Sequence, residues 1–214
     1  MSQDEKGIPS MVKNRQLVER RRQQIVQAAC DLFVRKGFHK TTTREIAKEC
    51  GLSIGTMYEY IQTKEDVLYL VCDFIHSELE SRLRKALEDT GTGRECLIRA
   101  VAQHFKVMEE MSDNVLLIYQ ETKSLPKKAM ESILRREEEI TSLFAEILHK
   151  GIDDGTLQLD TSSVRLMAHN IIVLGQMWTF RRWALSGHYT LKEFTEKQTS
   201  LLLHELTHEG KGGK

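Results

Sequence analysis

The sequence predicts an all-α fold of about nine helices. Its 214 residues include only two prolines, and the helix-favouring residues Leu, Ala, Glu, Lys and Arg are abundant. Apolar residues recur with helical spacing, as they do at Val67, Val71, Ile75 and Leu79. Breaks that contain glycine separate such stretches, and a chain of this length can bury an ample core in one large or two small domains.

The amino-terminal end is polar and basic. Gly7 and Pro9 interrupt it, so we expect residues 1–16 to form a flexible basic arm. Three consecutive arginines, at positions 20–22, lie near the start of the first predicted helix, which ends at Gly37. They are compatible either with a solvated helix start or with a segment that contacts nucleic-acid phosphates.

Residues 41–64 contain the strongest local pattern. Thr42 and Glu45 have the spacing of a capping box, which begins the second helix. Gly51 ends that helix, because glycine readily adopts the left-handed conformation of a helix exit. Ser53 is a favourable cap for a short third helix.

Two helices joined by a glycine-containing turn form the helix-turn-helix pattern, whose second helix enters the major groove of DNA. We therefore predict a three-helix DNA-binding domain at residues 17–63, with an ordinary helical hairpin as the alternative. The outer face of the third helix favours DNA. Gly55 permits close approach of a backbone, and the hydroxyls of Tyr58 and Tyr60 can donate to phosphate.

The rest of the chain predicts six more helices in a larger domain at residues 64–209. The fourth helix is long and starts at Lys64. The following five lie near residues 94–111, 112–124, 126–151, 163–186 and 190–208. Residues 210–214 contain three glycines and form a flexible tail.

The last two predicted helices are apolar on more than one face, which indicates burial against a second subunit. Charge is also unevenly distributed: residues 1–64 hold 12 Lys and Arg against 7 Asp and Glu, whereas the remaining 150 hold 19 against 24. A basic module joined to an acidic one is typical of a DNA-binding head on a body that does not bind DNA.

Composition narrows the class of protein further. No apolar run reaches the ~18 residues that a membrane span needs, and no apolar signal sequence is present, so we expect a cytoplasmic protein without a membrane partner. The four cysteines form no C-x-x-C pair, and we interpret them as small buried apolar residues in a reducing compartment.

The run from Gly37 to Leu68 reads G-F-H-K-T-T-T-R-E-I-A-K-E-C-G-L-S-I-G-T-M-Y-E-Y-I-Q-T-K-E-D-V-L. It resembles the DNA-binding segment of the TetR/AcrR family of one-component bacterial repressors, over roughly residues 17–70. The resemblance implies a helical body that binds a small-molecule effector and a homodimer formed through the last two helices. It also implies a palindromic double-stranded DNA operator, from which the effector releases the repressor.

The same resemblance implies which side chains contact DNA. Those nearest the bases are Arg44, Ile54, Gly55, Thr56 and Tyr58. Those nearest the phosphates are Thr42, Thr43, Ser53, Tyr60 and Lys64. Arg44 has the geometry to pair bidentately with a guanine.

The resemblance further implies an effector pocket in the body. Its candidate lining is Phe105, Met108, Leu117, Tyr119, Gln120, Phe144, His169, Val173, Met177, Trp178 and Arg181. Plain core packing is the alternative for each of these side chains. Residues 119–155 and 178–185 are similar to family members that respond to acyl-coenzyme A thioesters, which implies an acyl-CoA or fatty-acid effector. Drugs and other hydrophobic compounds are the alternative.

Four arginines in the predicted body have two interpretations. Arg135, Arg136, Arg181 and Arg182 could meet coenzyme A phosphates, or they could pair with neighbouring glutamates.

Residues 204–208 read H-E-x-x-H, the pattern of zinc metalloproteases, but the short tail that follows offers no suitable third ligand. We therefore expect no enzyme, catalytic residue, metal or cofactor. A small helical enzyme and a helical protein-interaction module are the rival classes.

Overall fold

The computed structural model describes residues 2–3, 8–88 and 90–207. The prediction of an all-α protein is confirmed. In these ranges the helices are α1 (Arg15–Lys36), α2 (Thr43–Glu49), α3 (Ile54–Tyr58), α4 (Lys64–Glu88), α5 (Gly93–Glu110), α6 (Ser112–Glu121), α7 (Lys127–Asp153), α8 (Val164–Phe180), α9 (Arg182–Leu185) and α10 (Leu191–Thr207). Short 3₁₀ turns at Thr122–Ser124 and Thr161–Ser163 lead into α7 and α8. Ahead of α1, the two-residue strands β1 (Ser2–Gln3) and β2 (Pro9–Ser10) pair antiparallel, with Ser2 opposite Ser10.

The chain divides into two compact units. The first comprises Met1–Ile75 and Asp113–Leu134, and the second comprises His76–Ser112 and Arg135–Lys214. The first unit thus holds α1 to α3 with the beginning of α4, together with α6 and the beginning of α7. The second unit holds the remainder of α4 and α7 together with α5, α8, α9 and α10.

An apolar core holds α1, α2 and α3 of the first unit together. Phe33 and Phe38 meet edge to face, with ring centroids 5.2 Å apart. The side chains of Ile25, Ile46 and Met57, one from each helix, are fully buried between them. Burying such side chains contributes about 1.5–3 kcal/mol each, so these helices form one rigid head.

The segment before α1 packs against the end of α3. Met11 donates its backbone N–H to the carbonyl of Glu59 at 2.9 Å, and the Ser10 hydroxyl donates to the same carbonyl at 3.0 Å. Arg22 is buried, and its guanidinium donates to the carbonyls of Tyr60 and Ile8. The interpretation of Arg22 as a phosphate contact is therefore wrong, because this side chain joins α1 to the segments on either side of it.

In the second unit α5 packs against α8 and α10. Phe105 of α5 and Trp178 of α8 both contact the ring of Phe194 from α10, at 5.3 and 4.9 Å between centroids. The single helix predicted at residues 163–186 is divided in the structure. Arg181 leaves helical geometry at φ −115° and ψ 19°, which separates α8 from α9.

None of the helices in the described ranges combines the length and the apolar character that crossing a membrane requires.

Candidate nucleic-acid interface and ligand site

The start of α2 is fixed by the predicted capping box. The Thr42 hydroxyl accepts the N–H of Glu45 at 3.3 Å, and the Glu45 carboxylate accepts the N–H of Thr42 at 3.0 Å. Hydrogen bonds from Lys36 and Thr42 lower the pKa of Glu45 to about 2. The carboxylate therefore stays ionised and holds α2 to the end of α1.

The outer face of α3 carries a short row of hydroxyls. Ser53 caps the helix by accepting the N–H of Thr56 at 3.0 Å, and the two hydroxyls lie 2.9 Å apart. Tyr58 is 44% exposed, and its hydroxyl lies 3.1 Å from that of Thr43 on α2. These groups can donate to or accept from a polar surface such as a phosphate backbone.

Glycine leaves space on the same face. A Cβ added to Gly55 would meet only the Ser53 hydroxyl, at 3.8 Å. Ile54 is half-buried beside it, and Arg44 of α2 is exposed. The predicted base-contacting side chains thus share α2 and α3 with the hydroxyl row.

Two predicted phosphate contacts lie elsewhere in the head. The expectation that Tyr60 faces outward is wrong: its side chain is 4% exposed, because α3 ends at Tyr58 and the following turn directs Tyr60 inward. Lys64 spans the turn after α1, where its ammonium donates to the carbonyls of Phe38 and His39 and lies 4.4 Å from the centroid of the Phe38 ring.

The predicted effector lining is divided between the two units. Leu117, Tyr119 and Gln120 belong to the first unit, where Leu117 is buried and Tyr119 is 72% exposed. The others belong to the second unit. In that group Phe105, Met108, Phe144 and Trp178 are buried, Met177 is half-buried, and His169, Val173 and Arg181 are exposed.

Two of the arginines considered for phosphate binding pair with glutamates. Arg136 lies 2.8 Å from Glu80 on α4 and 2.9 Å from Glu139 on its own helix. Arg182 lies 2.8 Å from Glu109, whose other oxygen accepts the indole N–H of Trp178 at 2.5 Å. Their ion pairs agree with the interpretation that these arginines pair with neighbouring glutamates.

The second unit contains a buried histidine that was not predicted from the sequence. His104 of α5 donates from Nε2 to the carbonyl of Ile172 on α8 at 3.1 Å. A Cβ on Gly175 would lie 2.2 Å from that Nε2, so only glycine permits this approach. Burial lowers the pKa of His104 to about 4, which keeps the imidazole neutral. No local pattern marks His104, because the contact joins residues from distant parts of the chain.

The H-E-x-x-H motif lies at the end of α10. His204 and Glu205 are exposed there, and His208 lies outside the described residues. Among the residues that the structure describes, no group of three or more His, Cys, Asp or Glu side chains is placed to hold a metal ion.

Exposed apolar side chains mark one surface of the last helices. Leu166 and Val173 of α8 and Leu201 of α10 are exposed, and Leu201 is 67% accessible. A groove of 350 Å³ runs between α8 and α10, lined by Met167, Asn170, Val173, Leu174, Gln198, Leu201, Leu202 and Glu205. A surface of this kind is typical of a protein interface.

Two family profiles match the chain. Residues 25–69 match the profile described as bacterial regulatory proteins of the tetR family, and residues 90–206 match the tetracyclin repressor-like C-terminal domain. Together they cover most of the predicted head and most of the body.

Two relatives are named as regulatory proteins. The chain is 30% identical over 207 residues to the HTH-type transcriptional regulator HbdR of Aromatoleum sp. (strain CIB), a match that covers 96% of this chain and 89% of the relative. It is 24% identical over 151 residues to the fatty acid metabolism regulator protein of Bacillus subtilis (strain 168), covering 70% and 78% of the two chains.

A solved structure shares the fold. The structure of AibR in complex with isovaleryl coenzyme A and operator DNA matches with a TM-score of 0.70 and 18% identity, covering 86% of this chain and 98% of that one.

Proposed function

The chain belongs to the TetR family of bacterial regulatory proteins, and we propose that it is a ligand-responsive transcriptional repressor that binds a palindromic operator as a homodimer. The family is one of transcriptional regulators, so we propose no enzymatic activity. Action on chromosomal DNA would take place in the cytoplasm. A hydrophobic small molecule bound to the body releases the repressor from its operator.

The observation that carries the DNA-binding part of this proposal is the outer face of α2 and α3. Exposed Arg44 supplies a donor fork that matches the O6 and N7 atoms of guanine. The open space over Gly55 lets the α3 backbone approach the groove, and the hydroxyls of Thr43, Ser53, Thr56 and Tyr58 supply contacts that fix the register.

Dimerisation follows from two further considerations. One α3 helix reads only a few base pairs, whereas two heads about 34–36 Å apart read an inverted repeat. The exposed apolar side chains of α8 and α10 offer the surface through which two copies associate.

We propose an acyl-CoA thioester or a related fatty-acid derivative as the effector. The relative from B. subtilis is named for fatty acid metabolism, and AibR was crystallised with isovaleryl coenzyme A. The alternative is a drug or another hydrophobic compound. The effector must bind the conformation that does not fit DNA more tightly than the one that does, because only a difference in affinity shifts the population.

Selection of duplexes from a random pool by the full-length protein tests the DNA-binding function. We expect enrichment of an inverted repeat whose half-sites lie about one helical turn apart, with an affinity that falls steeply as salt rises. Failure to enrich any sequence would exclude a specific operator, and an enriched single half-site would exclude the dimeric mode.

The selected duplex then allows the role of Arg44 to be measured. Arg44→Ala should relax specificity at one base pair of each half-site by about 1–3 kcal/mol. A uniform loss across all duplexes would instead make Arg44 a phosphate contact.

Adding palmitoyl-CoA, with free coenzyme A as control, should release the wild-type protein from the duplex if the effector is a long-chain thioester.

A further inference from the structure

A cluster of hydrogen-bond acceptors lies in the second unit, where its two imidazoles are buried and its carboxylate is half-buried. Nε2 of His104 donates to a backbone carbonyl, which can only accept, so the proton of the neutral ring is on Nε2. Nδ1 is then an acceptor, and it is buried without a hydrogen-bond partner in the described part of the chain. An unsatisfied buried acceptor destabilises a fold, so a side chain that served packing alone would be apolar here.

A histidine and a carboxylate add to the cluster. His76 of α4 lies with its Nε2 3.1 Å from a carboxylate oxygen of Glu137 on α7, and it donates to that oxygen. The Nδ1 of His76 is also buried without a hydrogen-bond partner among the described residues. The hydrogen bond from His76 lowers the pKa of Glu137, so this carboxylate is ionised.

Apolar rings surround the buried imidazole. The His104 ring lies 5.6 Å from the ring of Phe144 and 5.9 Å from that of Phe105, measured between centroids. Gly175 of α8 lies against the imidazole, and any side chain at this position would displace the ring. The cluster therefore combines unsatisfied acceptors with apolar walls, which is the composition of a small-molecule site.

We propose that His76, His104 and Glu137 form an acceptor cluster that binds the polar end of the effector, and that this end is an uncharged hydrogen-bond donor such as a hydroxyl or an amide N–H. The proposal rests on the effector-controlled function proposed above, and it restricts the chemical class of the effector. A donor on the effector would give Nδ1 of His104 the hydrogen bond that it does not make within the described part of the protein. A carboxylate would instead face the charge of Glu137, so a free fatty acid is excluded, whereas the hydroxyl and amides of a coenzyme A thioester remain suitable.

Three probes with the same ten-carbon chain test the proposal by calorimetry on the full-length protein without DNA. They are 1-decanol, which donates, decyl methyl ether, which only accepts, and decanoate, which is anionic. We expect 1-decanol to bind at least about 10-fold more tightly than either of the others. Equal affinity for the ether or for decanoate, or no binding of any probe, would overturn the proposal.

Two variants assign the selectivity to the cluster. His104→Phe should abolish the preference for 1-decanol over the ether, and Glu137→Gln should raise the affinity for decanoate about 10-fold. His188→Phe, in an exposed loop before α10, is the matched control and should keep the selectivity of the wild type.

The Glu137 side chain is only half-buried, so we expect Glu137→Gln to fold. This variant therefore tests the proposal even if His104→Phe does not fold. A folded Glu137→Gln protein with wild-type selectivity contradicts the proposal. Because these measurements involve no DNA, their failure is distinct from a failure to select an operator.

Discussion

The hydroxyls of Thr43 and Tyr58 lie 3.1 Å apart and join α2 to α3 on the outer face of the head. Tyr58→Phe removes this contact and one donor from the proposed DNA surface. Because the bond is exposed to solvent, we expect the free energy of unfolding to change by less than about 1 kcal/mol. DNA affinity should fall about 3–10-fold, as the loss of one polar contact implies. Fluorescence anisotropy and urea unfolding measure the two effects.

Tyr189→Phe is the control for that substitution, since this tyrosine lies in the loop before α10 and is also exposed. It should change neither quantity. A loss of stability in Tyr58→Phe as large as its loss of DNA affinity would mean that the hydroxyl acts through the fold rather than through DNA.

Substitution of Gly55 should lower DNA affinity without lowering stability. Gly55→Ala adds a methyl group that meets only the Ser53 hydroxyl at 3.8 Å. Alanine favours a helix over glycine by about 0.5–1 kcal/mol, so the variant should be as stable as the wild type or more so. Its affinity for the selected duplex should nevertheless fall about 10-fold or more, because the methyl group stands between α3 and the groove. Unchanged DNA binding would place the interface elsewhere.

Leu201 tests the proposed dimer. Leu201→Glu places a charge on the exposed apolar face of α10, where it would be buried between two copies. Analytical ultracentrifugation should show a monomer at concentrations where the wild type is a dimer, and affinity for the inverted repeat should fall with it. Leu134→Glu, at an exposed position of α7, is the matched control and should remain dimeric. Dimers that persist in Leu201→Glu would exclude this face.

Features set by neighbouring residues could be predicted from the sequence. Thr42 with Glu45, Ser53 with Thr56, and Thr190 with Glu193 all make the capping hydrogen bonds that their spacing indicates. Each pair lies within one helical turn, so the signal is local.

Features set by distant parts of the chain could not be predicted in this way. Arg22 can be buried because the carbonyls of Ile8 and Tyr60 accept hydrogen bonds from its guanidinium, and neither partner belongs to the basic run around it. His104 depends in the same way on the bare backbone at Gly175. The break at Arg181 likewise has no proline or glycine to mark it.

Gly175→Ala should therefore destabilise the protein, although alanine is the better helix former. The new Cβ would come within 2.2 Å of Nε2 of His104 and displace the imidazole. We expect a loss of about 1–3 kcal/mol in the free energy of unfolding, as for other overpacked cores. His104→Ala should remove most of this cost, so the double-mutant cycle should be clearly non-additive. Gly187→Ala, with no atom within 4 Å of its added Cβ, should be neutral, and an equal loss there would refute the steric explanation.

The pH dependence of stability should report the buried imidazole of His104. Burial lowers its pKa from 6.5 to about 4 in the folded protein. As pH falls below 6.5, the unfolded chain takes up a proton that the folded protein does not, so the unfolding free energy decreases between these two values. Relative to His104→Phe, wild-type protein should therefore lose about 2 kcal/mol between pH 7 and pH 5.

Urea unfolding of both proteins at one fixed protein concentration measures this difference, because association of subunits also contributes to stability. The difference between the two proteins isolates His104 from the other titratable groups, Glu137 and His76 included, because both proteins contain them. The profiles should run parallel above pH 7.5, where both states of the wild type are neutral at this position, and diverge below it. Parallel profiles down to pH 5 would mean that His104 is protonated as readily in the folded protein as in the unfolded chain. Its Nδ1 would then carry a proton at pH values below 6.5 and could not accept a hydrogen bond from an effector there.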